Sequence, residues 1–205
     1  MEVSNQVFIM TTNISTTEKT IWTIPNILST YRLLAFPLLI MLILREQTQV
    51  FAFVFTFNLI TDILDGWIAR TFDMQTELGA KLDSYADTAT YIAGFWAIFS
   101  LKGQEVWPYA PWIAAFATAW LALHLTMFAK FGGIIGLHTY SVKATGYLQG
   151  GCAIALLWFG LWPWLFYTAI CWGIFAYLEE ILIVLRLSEP RSNVKGLFWV
   201  LRGAS

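Results

Sequence analysis

Charged residues are scarce in this sequence, because Lys, Arg, Asp and Glu together make up only 12% of its 205 residues. The formal net charge of −1 provides no basic surface, and no nucleic-acid partner is indicated. Cysteine is also rare: Cys152 and Cys171 both lie in apolar stretches, where cysteine usually serves as a small buried hydrophobe. Two such residues make no disulfide framework and do not indicate redox chemistry.

A secretory signal is absent from the first 23 residues, which are polar and rich in threonine. They lack a basic start followed by an apolar stretch and a small-residue cleavage site. Membrane insertion is therefore expected to depend on the later helices.

Apolar residues dominate instead, with 58% hydrophobic and 17% aromatic residues and a mean hydropathy of +0.64. This composition predicts an all-α integral membrane protein, since a span needs about 20 mostly apolar residues. One domain is expected at 24–187, between a polar segment at 1–23 and a cytoplasmic C-terminal tail at 188–205. Within it, a short interfacial helix at 24–32 is expected to precede six transmembrane helices near 33–47, 50–71, 79–101, 107–129, 142–160 and 164–187.

Lysine and arginine are distributed unevenly between the two ends of these helices. One end has only Arg45 and Lys102, and the other has ten cations: Lys19, Arg32, Arg70, Lys81, Lys130, Lys143, Arg186, Arg191, Lys195 and Arg202. Because cytoplasmic loops retain positive charge, both termini are predicted to be cytoplasmic. The expected location is the inner (cytoplasmic) membrane of the cell.

Four carboxylates interrupt the second and third predicted spans: Asp62, Asp65, Asp83 and Asp87. An aspartate near the centre of a membrane helix costs about 2.5 to 3.5 kcal/mol on insertion scales, so such residues usually face the protein interior and mark function. The nearby cations identified in the sequence are Arg70 and Lys81, which are too few to neutralise four buried anions. A functional role is therefore favoured over structural ion pairing.

Helical geometry places the acids close together. At about 100° per residue, Asp62, Asp65, Gly66 and Ala69 share one helix face, and Gly79, Asp83 and Asp87 form a stripe on the next helix. A turn at 71–78 folds the two helices into a hairpin, in which all four carboxylates converge. A site of carboxylate oxygens without histidine or thiolate suits two hard cations, Mg²⁺ or Mn²⁺, and phosphate chemistry. The small Gly66 and Ala69 leave room for a ligand, and Arg70 provides a cation for phosphate.

The pattern Asp62-x-x-Asp65-Gly66-x-x-Ala69-Arg70, followed after eight residues by Gly79-x-x-x-Asp83-x-x-x-Asp87, resembles the signature of the CDP-alcohol phosphotransferases. Upstream, Asn26-x-Leu28-Ser29-x-x-Arg32 resembles the N-terminal segment of many members. The resemblance implies a homodimer that transfers a phosphatidyl group from CDP-diacylglycerol to a small alcohol and releases CMP.

The resemblance also implies roles for single residues. Asp62 and Asp83 would bridge two metal ions, Asp65 and Asp87 would complete their coordination, and Asp87 would be the general base. The CDP portion would contact Asn26, Ser29, Asp62, Asp65, Gly66, Ala69, Arg70, Thr76, Gly79 and Asp83.

The acceptor alcohol is less well defined by the sequence. Glycerol 3-phosphate and inositol or inositol phosphate are favoured, although Ser84 stands where glycerol-phosphate enzymes of the family usually have proline. A phosphorylated acceptor would need cations, and Lys130, Lys143 and Arg186 are candidates, although the positive-inside rule explains them equally well. The lipid tails, the metal used in cells and the roles of His124, Glu179 and Glu180 remain open.

Two other functions also fit intramembrane acids. A membrane prenyltransferase of the UbiA type uses Asp-rich helices and a pyrophosphate donor, but it is longer and has a second Asp-rich motif. A divalent-cation transporter can have an acidic cavity, but it does not require Gly66, Ala69 and Arg70 beside the acids. Metal-dependent release of CMP from a CDP-lipid would separate the enzyme from both.

Overall fold

The computed structural model describes residues 23–74, 76–191 and 194–202, and within them it contains helices and no strand. The all-α prediction is therefore confirmed for the described chain, whereas the segment predicted at 1–23 lies outside it except for Thr23. The helices are α1 (Ile24–Leu44), α2 (Thr48–Thr71), α3 (Glu77–Leu101), α4 (Gly103–Val106), α5 (Ala110–Phe131), α6 (Tyr140–Phe159), α7 (Pro163–Arg186) and α8 (Leu197–Leu201), with a 3₁₀ turn at Trp107–Tyr109 between α4 and α5.

Helix α1 corrects one prediction, since the interfacial helix at 24–32 and the first span form a single continuous helix. The Thr23 side chain caps this helix by accepting a hydrogen bond from the Asn26 N–H at 3.4 Å. Pro25 lies in the first turn, where its missing N–H has no helical partner to lose. Because the helix is unbroken, Asn26, Ser29 and Arg32 lie on one buried face at a spacing of three residues.

Four helical segments are long and apolar enough to cross a membrane: Ile24–Leu44, Thr48–Thr71, Gly103–Phe131 and Pro163–Arg186. Helices α3 and α6, of 25 and 20 residues, are long enough but not among them. Polar side chains lower the hydropathy of both, including the acids on α3 and Lys143 on α6. The count of six spans and the cytoplasmic position of both termini therefore stay predictions.

The helices pack into two groups. Helix α1 packs against α2 and α3, around a core that includes Leu39, Phe51, Phe55 and Ala93. Helix α7 packs against α5 and α6, and α2 joins the groups by contacting α6. The first group contains all four acids.

The described part of the C-terminal segment packs onto α5 and α7. Val194 is buried with Leu123 and Ile183, and its N–H donates to the Leu137 carbonyl at 2.8 Å. The N–H of Leu197 donates to the Glu179 carboxylate at 2.9 Å. Residues beyond the last long helix therefore contribute to the core.

Candidate active site

Helices α2 and α3 bring their acids to one point, with α1 lying against both. Carboxylate oxygens of Asp62, Asp83 and Asp87 all lie within 4.8 Å of one another. The side chains of these three residues are 37%, 44% and 37% exposed, whereas that of Asp65 is only 4% exposed. The cluster thus has an open side and a buried side.

Arg32 of α1 occupies the centre of this cluster and is 1% exposed. Its Nη1 donates to Asp62 Oδ1 and Asp87 Oδ1, both at 2.6 Å. Its Nη2 donates to Asp65 Oδ2 at 2.7 Å and to Asp83 Oδ1 at 2.5 Å. Each terminal nitrogen therefore links one acid of α2 to one acid of α3.

Arg32 is a cation near the acids in addition to Arg70 and Lys81, the two that the sequence identifies there. The sequence places Arg32 with the loop cations, whereas the structure buries it inside α1. It lies 30 residues before Asp62 in the chain. The pairing of α1 with α2 brings it to the same depth, and the motif spacing contains no signal of that pairing.

Ser29 supports the buried side of the cluster. Its hydroxyl lies 3.2 Å from Asp65 Oδ2 and 3.2 Å from the Pro25 carbonyl. One turn of α1 therefore provides both polar groups that contact Asp65, the Ser29 hydroxyl and the Arg32 guanidinium.

A second polar group surrounds the N-terminus of α3. Thr76 caps this helix, because its hydroxyl accepts a hydrogen bond from the Gly79 N–H at 2.9 Å. The Asn26 side-chain amide donates to the same hydroxyl at 3.2 Å. The structure thus brings together Asn26, Thr76 and Gly79 from the CDP-binding prediction, and Thr76 has a capping role that the sequence analysis missed.

We expect Gly79→Ala to destabilise the protein. A Cβ there would lie 2.2 Å from Asn26 Oδ1 and 2.8 Å from Thr76 Oγ1. Forcing these groups apart should cost about 1 to 3 kcal/mol of unfolding free energy, as overpacking does. Thermal unfolding in detergent measures the effect, and Gly146→Ala on α6 is the control because its Cβ would meet nothing within 4 Å. Equal melting temperatures for the two variants would contradict this account of Gly79.

Gly66 and Arg70 lie together at the cytoplasmic-side end predicted for α2. A Cβ at Gly66 would lie 3.4 Å from Arg70 Nη1 and 3.5 Å from Nη2, which is ordinary van der Waals contact with a flexible side chain. Arg70 itself is exposed, and Ala69 is half-buried. The space beside Gly66 is therefore lined by an exposed guanidinium.

The three candidate cations for an acceptor phosphate have different surroundings. Lys130 donates to the Leu185 carbonyl at 2.8 Å, near the end of α7. Lys143 lies over the Tyr140 ring, 5.9 Å from its centroid. Arg186 lines a pocket of about 380 Å³ together with Ser188 and others. Among the residues described, none of the three forms an ion pair with the four acids.

The residues with open roles are hydrogen-bonded within the fold. A ring nitrogen of His124 lies 2.8 Å from the Trp120 carbonyl, one turn earlier on α5. Glu179 accepts hydrogen bonds from Leu197 and Ser141, and Glu180 accepts one from the Thr139 hydroxyl at 3.0 Å. These two acids hold the C-terminal segment and the loop before α6 against α7.

The donor set around Arg32 fits a hard divalent cation. It consists of carboxylate oxygens, which Mg²⁺ and Mn²⁺ prefer, and it surrounds a point already held by a cationic group. Asp62, Asp83 and Asp87 form the group that can hold a metal ion. The guanidinium of Arg32 supplies a positive charge at the position where the carboxylates would hold a metal ion.

The sequence model of the CDP-alcohol phosphatidyltransferases matches residues 22–185. The chain belongs to this family. The match confirms the resemblance found in the motif of α2 and α3. The match favours this family over the UbiA-type prenyltransferases and the cation transporters.

Three proteins with similar sequences are named for phosphatidyl transfer or for cardiolipin synthesis. The CDP-diacylglycerol–glycerol-3-phosphate 3-phosphatidyltransferase of Cereibacter sphaeroides is 35% identical over 94 residues, 44% of this chain and 42% of the relative. A CMP-forming cardiolipin synthase of Streptomyces coelicolor is 31% identical over 141 residues, 66% and 61% of the two chains. That of Rattus norvegicus is 46% identical over 67 residues, 32% and 22%. The chain therefore covers less than two thirds of each, and no solved structure matches it.

Proposed function

We propose that this enzyme transfers a phosphatidyl group from CDP-diacylglycerol to the hydroxyl of a glycerol phosphate and releases CMP. The observation that carries the proposal is the convergence of four carboxylates from α2 and α3 on one cation position. The relatives support the acceptor class, because one is named for glycerol 3-phosphate and two for cardiolipin, in which a glycerol joins two phosphatidyl groups. The shared acceptor chemistry is a glycerol hydroxyl close to a phosphate.

The CDP portion would bind where the polar face of α1 meets the α2–α3 hairpin. Asn26 and Ser29 line α1, and Thr76 and Gly79 form the N-terminus of α3, whose N–H groups favour anions. Arg70 would pair with phosphate through its planar guanidinium beside Gly66. The remaining contacts of the proposed site are Asp62, Asp65, Ala69 and Asp83.

Two divalent cations, Mg²⁺ or Mn²⁺, held by Asp62, Asp65, Asp83 and Asp87, would neutralise charge on the donor pyrophosphate. Asp87 would take the proton of the acceptor hydroxyl. The oxygen of that hydroxyl would form a bond to the β-phosphorus, while the bond from the β-phosphorus to the CMP oxygen breaks. The partial exposure of Asp87 suits this role, since an acceptor can reach it, whereas Asp65 is buried and suits metal binding alone.

Orientation and assembly follow from charge and from the resemblance. Arg70 and Lys81 flank the α2–α3 turn, whereas Arg45 and Lys102 are the cations that the sequence places at the opposite end. The site would therefore open to the cytoplasm from the inner membrane. A homodimer stays a prediction from the resemblance.

An acceptor panel tests the proposed function. The purified enzyme would receive CDP-diacylglycerol and Mg²⁺ with glycerol 3-phosphate, phosphatidylglycerol, inositol, inositol phosphate, serine or choline in parallel. Lipid product should form with glycerol 3-phosphate or with phosphatidylglycerol. Product with the first would identify a soluble acceptor, and product with the second a lipid acceptor. Product only with the inositol, serine or choline acceptors would refute the acceptor class, and absence of CMP in every arm would refute the function.

Arg186→Gln tests the acceptor phosphate site. If this cation binds the acceptor phosphate, the acceptor KM should rise about 10- to 100-fold, the value of a lost charge-assisted hydrogen bond. Turnover at saturation should change little. Arg202→Gln is the matched control, since that guanidinium lies 4.1 Å from the centroid of the Phe198 ring on α8. An unchanged acceptor KM would show that Arg186 does not bind the acceptor phosphate.

A further inference from the structure

The position of Arg32 has a consequence for metal binding. Its two terminal nitrogens lie 2.5 to 2.7 Å from oxygens of all four acids. A magnesium ion binds its oxygen ligands at about 2.0 to 2.1 Å and needs the same lone pairs. Arg32 contacts one oxygen of each acid, and its positive charge repels a divalent ion at the same place. Metal binding through these oxygens is therefore favoured when the guanidinium withdraws.

Repulsion among the four acids favours a cation at their centre. Four carboxylates on two adjacent helices repel each other, and each terminal nitrogen of Arg32 offsets this by linking α2 to α3. The residue is almost fully buried, which a charged side chain tolerates only when it is paired. The ion pairs of Arg32 thus stabilise the packing of α2 against α3.

Asn58, one turn before Asp62 on α2, is the candidate partner for the withdrawn guanidinium. Asn58 on α2 is 0% exposed, and neither its amide nitrogen nor its amide oxygen has a hydrogen-bond partner among the described residues. The Nε of Arg32 also lacks one there. Leaving the buried Asn58 amide without a hydrogen bond costs free energy. A hydrogen bond to the Arg32 guanidinium, once that group has left the acids, would remove this cost.

Helix geometry places Asn58 within reach. It precedes Asp62 by one turn, about 40° away on the same face of α2. Helices α1 and α2 run antiparallel from the turn at 45–47, so Arg32 lies 45 − 32 = 13 residues before the turn and Asn58 lies 58 − 47 = 11 after it. Their depths differ by two residues, or about 3 Å along the helix axis.

We propose that Arg32 is an internal counter-ion that occupies the carboxylate site until divalent ions bind, and that Asn58 then receives its guanidinium. Arg32 is in this account a positioning residue that sets the apparent metal affinity. The inference rests on the metal site of the proposed function but not on the identity of the acceptor.

Binding of Mn²⁺ to the purified protein without substrate tests the competition. Arg32→Gln removes the competing cation and should bind Mn²⁺ about tenfold more tightly or better. In EDTA the same variant should melt below the wild type, and saturating Mn²⁺ should restore most of the difference. Arg32→Lys, which keeps a charge but cannot link both pairs of acids, should have an intermediate Mn²⁺ affinity and covers the case in which the Gln variant does not fold.

Asn58→Leu tests the second position of the guanidinium. It should weaken Mn²⁺ binding about tenfold in the wild-type background. In the Arg32→Gln background it should have no effect, because Asn58 acts only by receiving the Arg32 guanidinium, which that variant lacks. Thr90→Val is the control, because this buried hydroxyl already donates to the Ala86 carbonyl at 2.9 Å.

The outcomes separate this inference from the proposed function. Unchanged or weaker Mn²⁺ binding by the Arg32 variants would overturn the competition, and additive effects of the two substitutions would overturn the role of Asn58. Either result leaves phosphatidyl transfer intact. No Mn²⁺ binding by the wild type would overturn the metal site itself.

Discussion

Asp62→Asn or Asp83→Asn should reduce CMP release to background while the protein stays folded. The two carboxylates come from different helices, and the resemblance assigns them as ligands shared by both metal ions. Asparagine keeps the size of the side chain and a neutral oxygen, but it removes the negative charge that a hard cation needs. Both cations would therefore lose a ligand at once.

Thermal unfolding distinguishes this result from misfolding. Because four acids surround one guanidinium, removing one negative charge lowers the repulsion in the metal-free protein, and the melting temperature in EDTA should not fall. Asp73→Asn provides the matched control. This residue lies outside the cluster with φ of 52°, a left-handed conformation that asparagine tolerates, and it should retain activity. Wild-type turnover by either cluster variant at ordinary Mg²⁺ concentrations would refute the bridging assignment.

Asp87→Asn should lower kcat by about 10²- to 10⁴-fold, the usual contribution of a general base. The affinity for CDP-diacylglycerol should change much less, because the neutral amide oxygen can still reach a cation. Asp87 lies one turn beyond Asp83 on α3 and is accessible from the open side of the cluster. It can thus contact a metal ion with one oxygen and the acceptor hydroxyl with the other.

Single-turnover kinetics with saturating donor, together with donor binding measured separately, test this assignment. Loss of donor affinity with near-normal turnover at saturation would show that Asp87 is mainly a metal ligand. In that case the base must be another group close to the acceptor.

Much of this site follows from local sequence rules. The spacing of the acids on α2 and α3, and a short turn between two antiparallel helices, are enough to predict that four carboxylates meet. Helix periodicity and hairpin closure are local properties, so no knowledge of the remaining chain is needed. The bounds of α2, α3, α5, α6 and α7 agree with the predicted spans to within three residues for the same reason.

The contribution of α1 was harder to predict. The sequence places Arg32 at the end of the interfacial helix expected before the first span, and so with the cations outside the spans, but α1 continues through that position to Leu44. Only the packing of α1 against α2 and α3 places this guanidinium among the acids. The sequence did contain a hint, since Asn26, Ser29 and Arg32 repeat at three-residue spacing, which puts polar groups on one helix face.

The C-terminal segment illustrates a second limit. The sequence predicts a C-terminal tail at 188–205, and in the described part of it Val194 and Leu197 pack against α5 and α7. Their apolar character is visible in the sequence, but the binding partners, Glu179 and Leu137, become apparent only when α7 and the loop before α6 are adjacent.

Metal-dependent CMP release from CDP-diacylglycerol tests the central claim most directly. With purified wild-type enzyme and a glycerol phosphate acceptor, CMP and lipid product should appear in equal amounts with Mg²⁺ or Mn²⁺, and both should stop when EDTA is added. CMP release that continues in EDTA, or that persists at wild-type rate in the Asp83→Asn variant, would contradict catalysis by a metal site built from these four carboxylates.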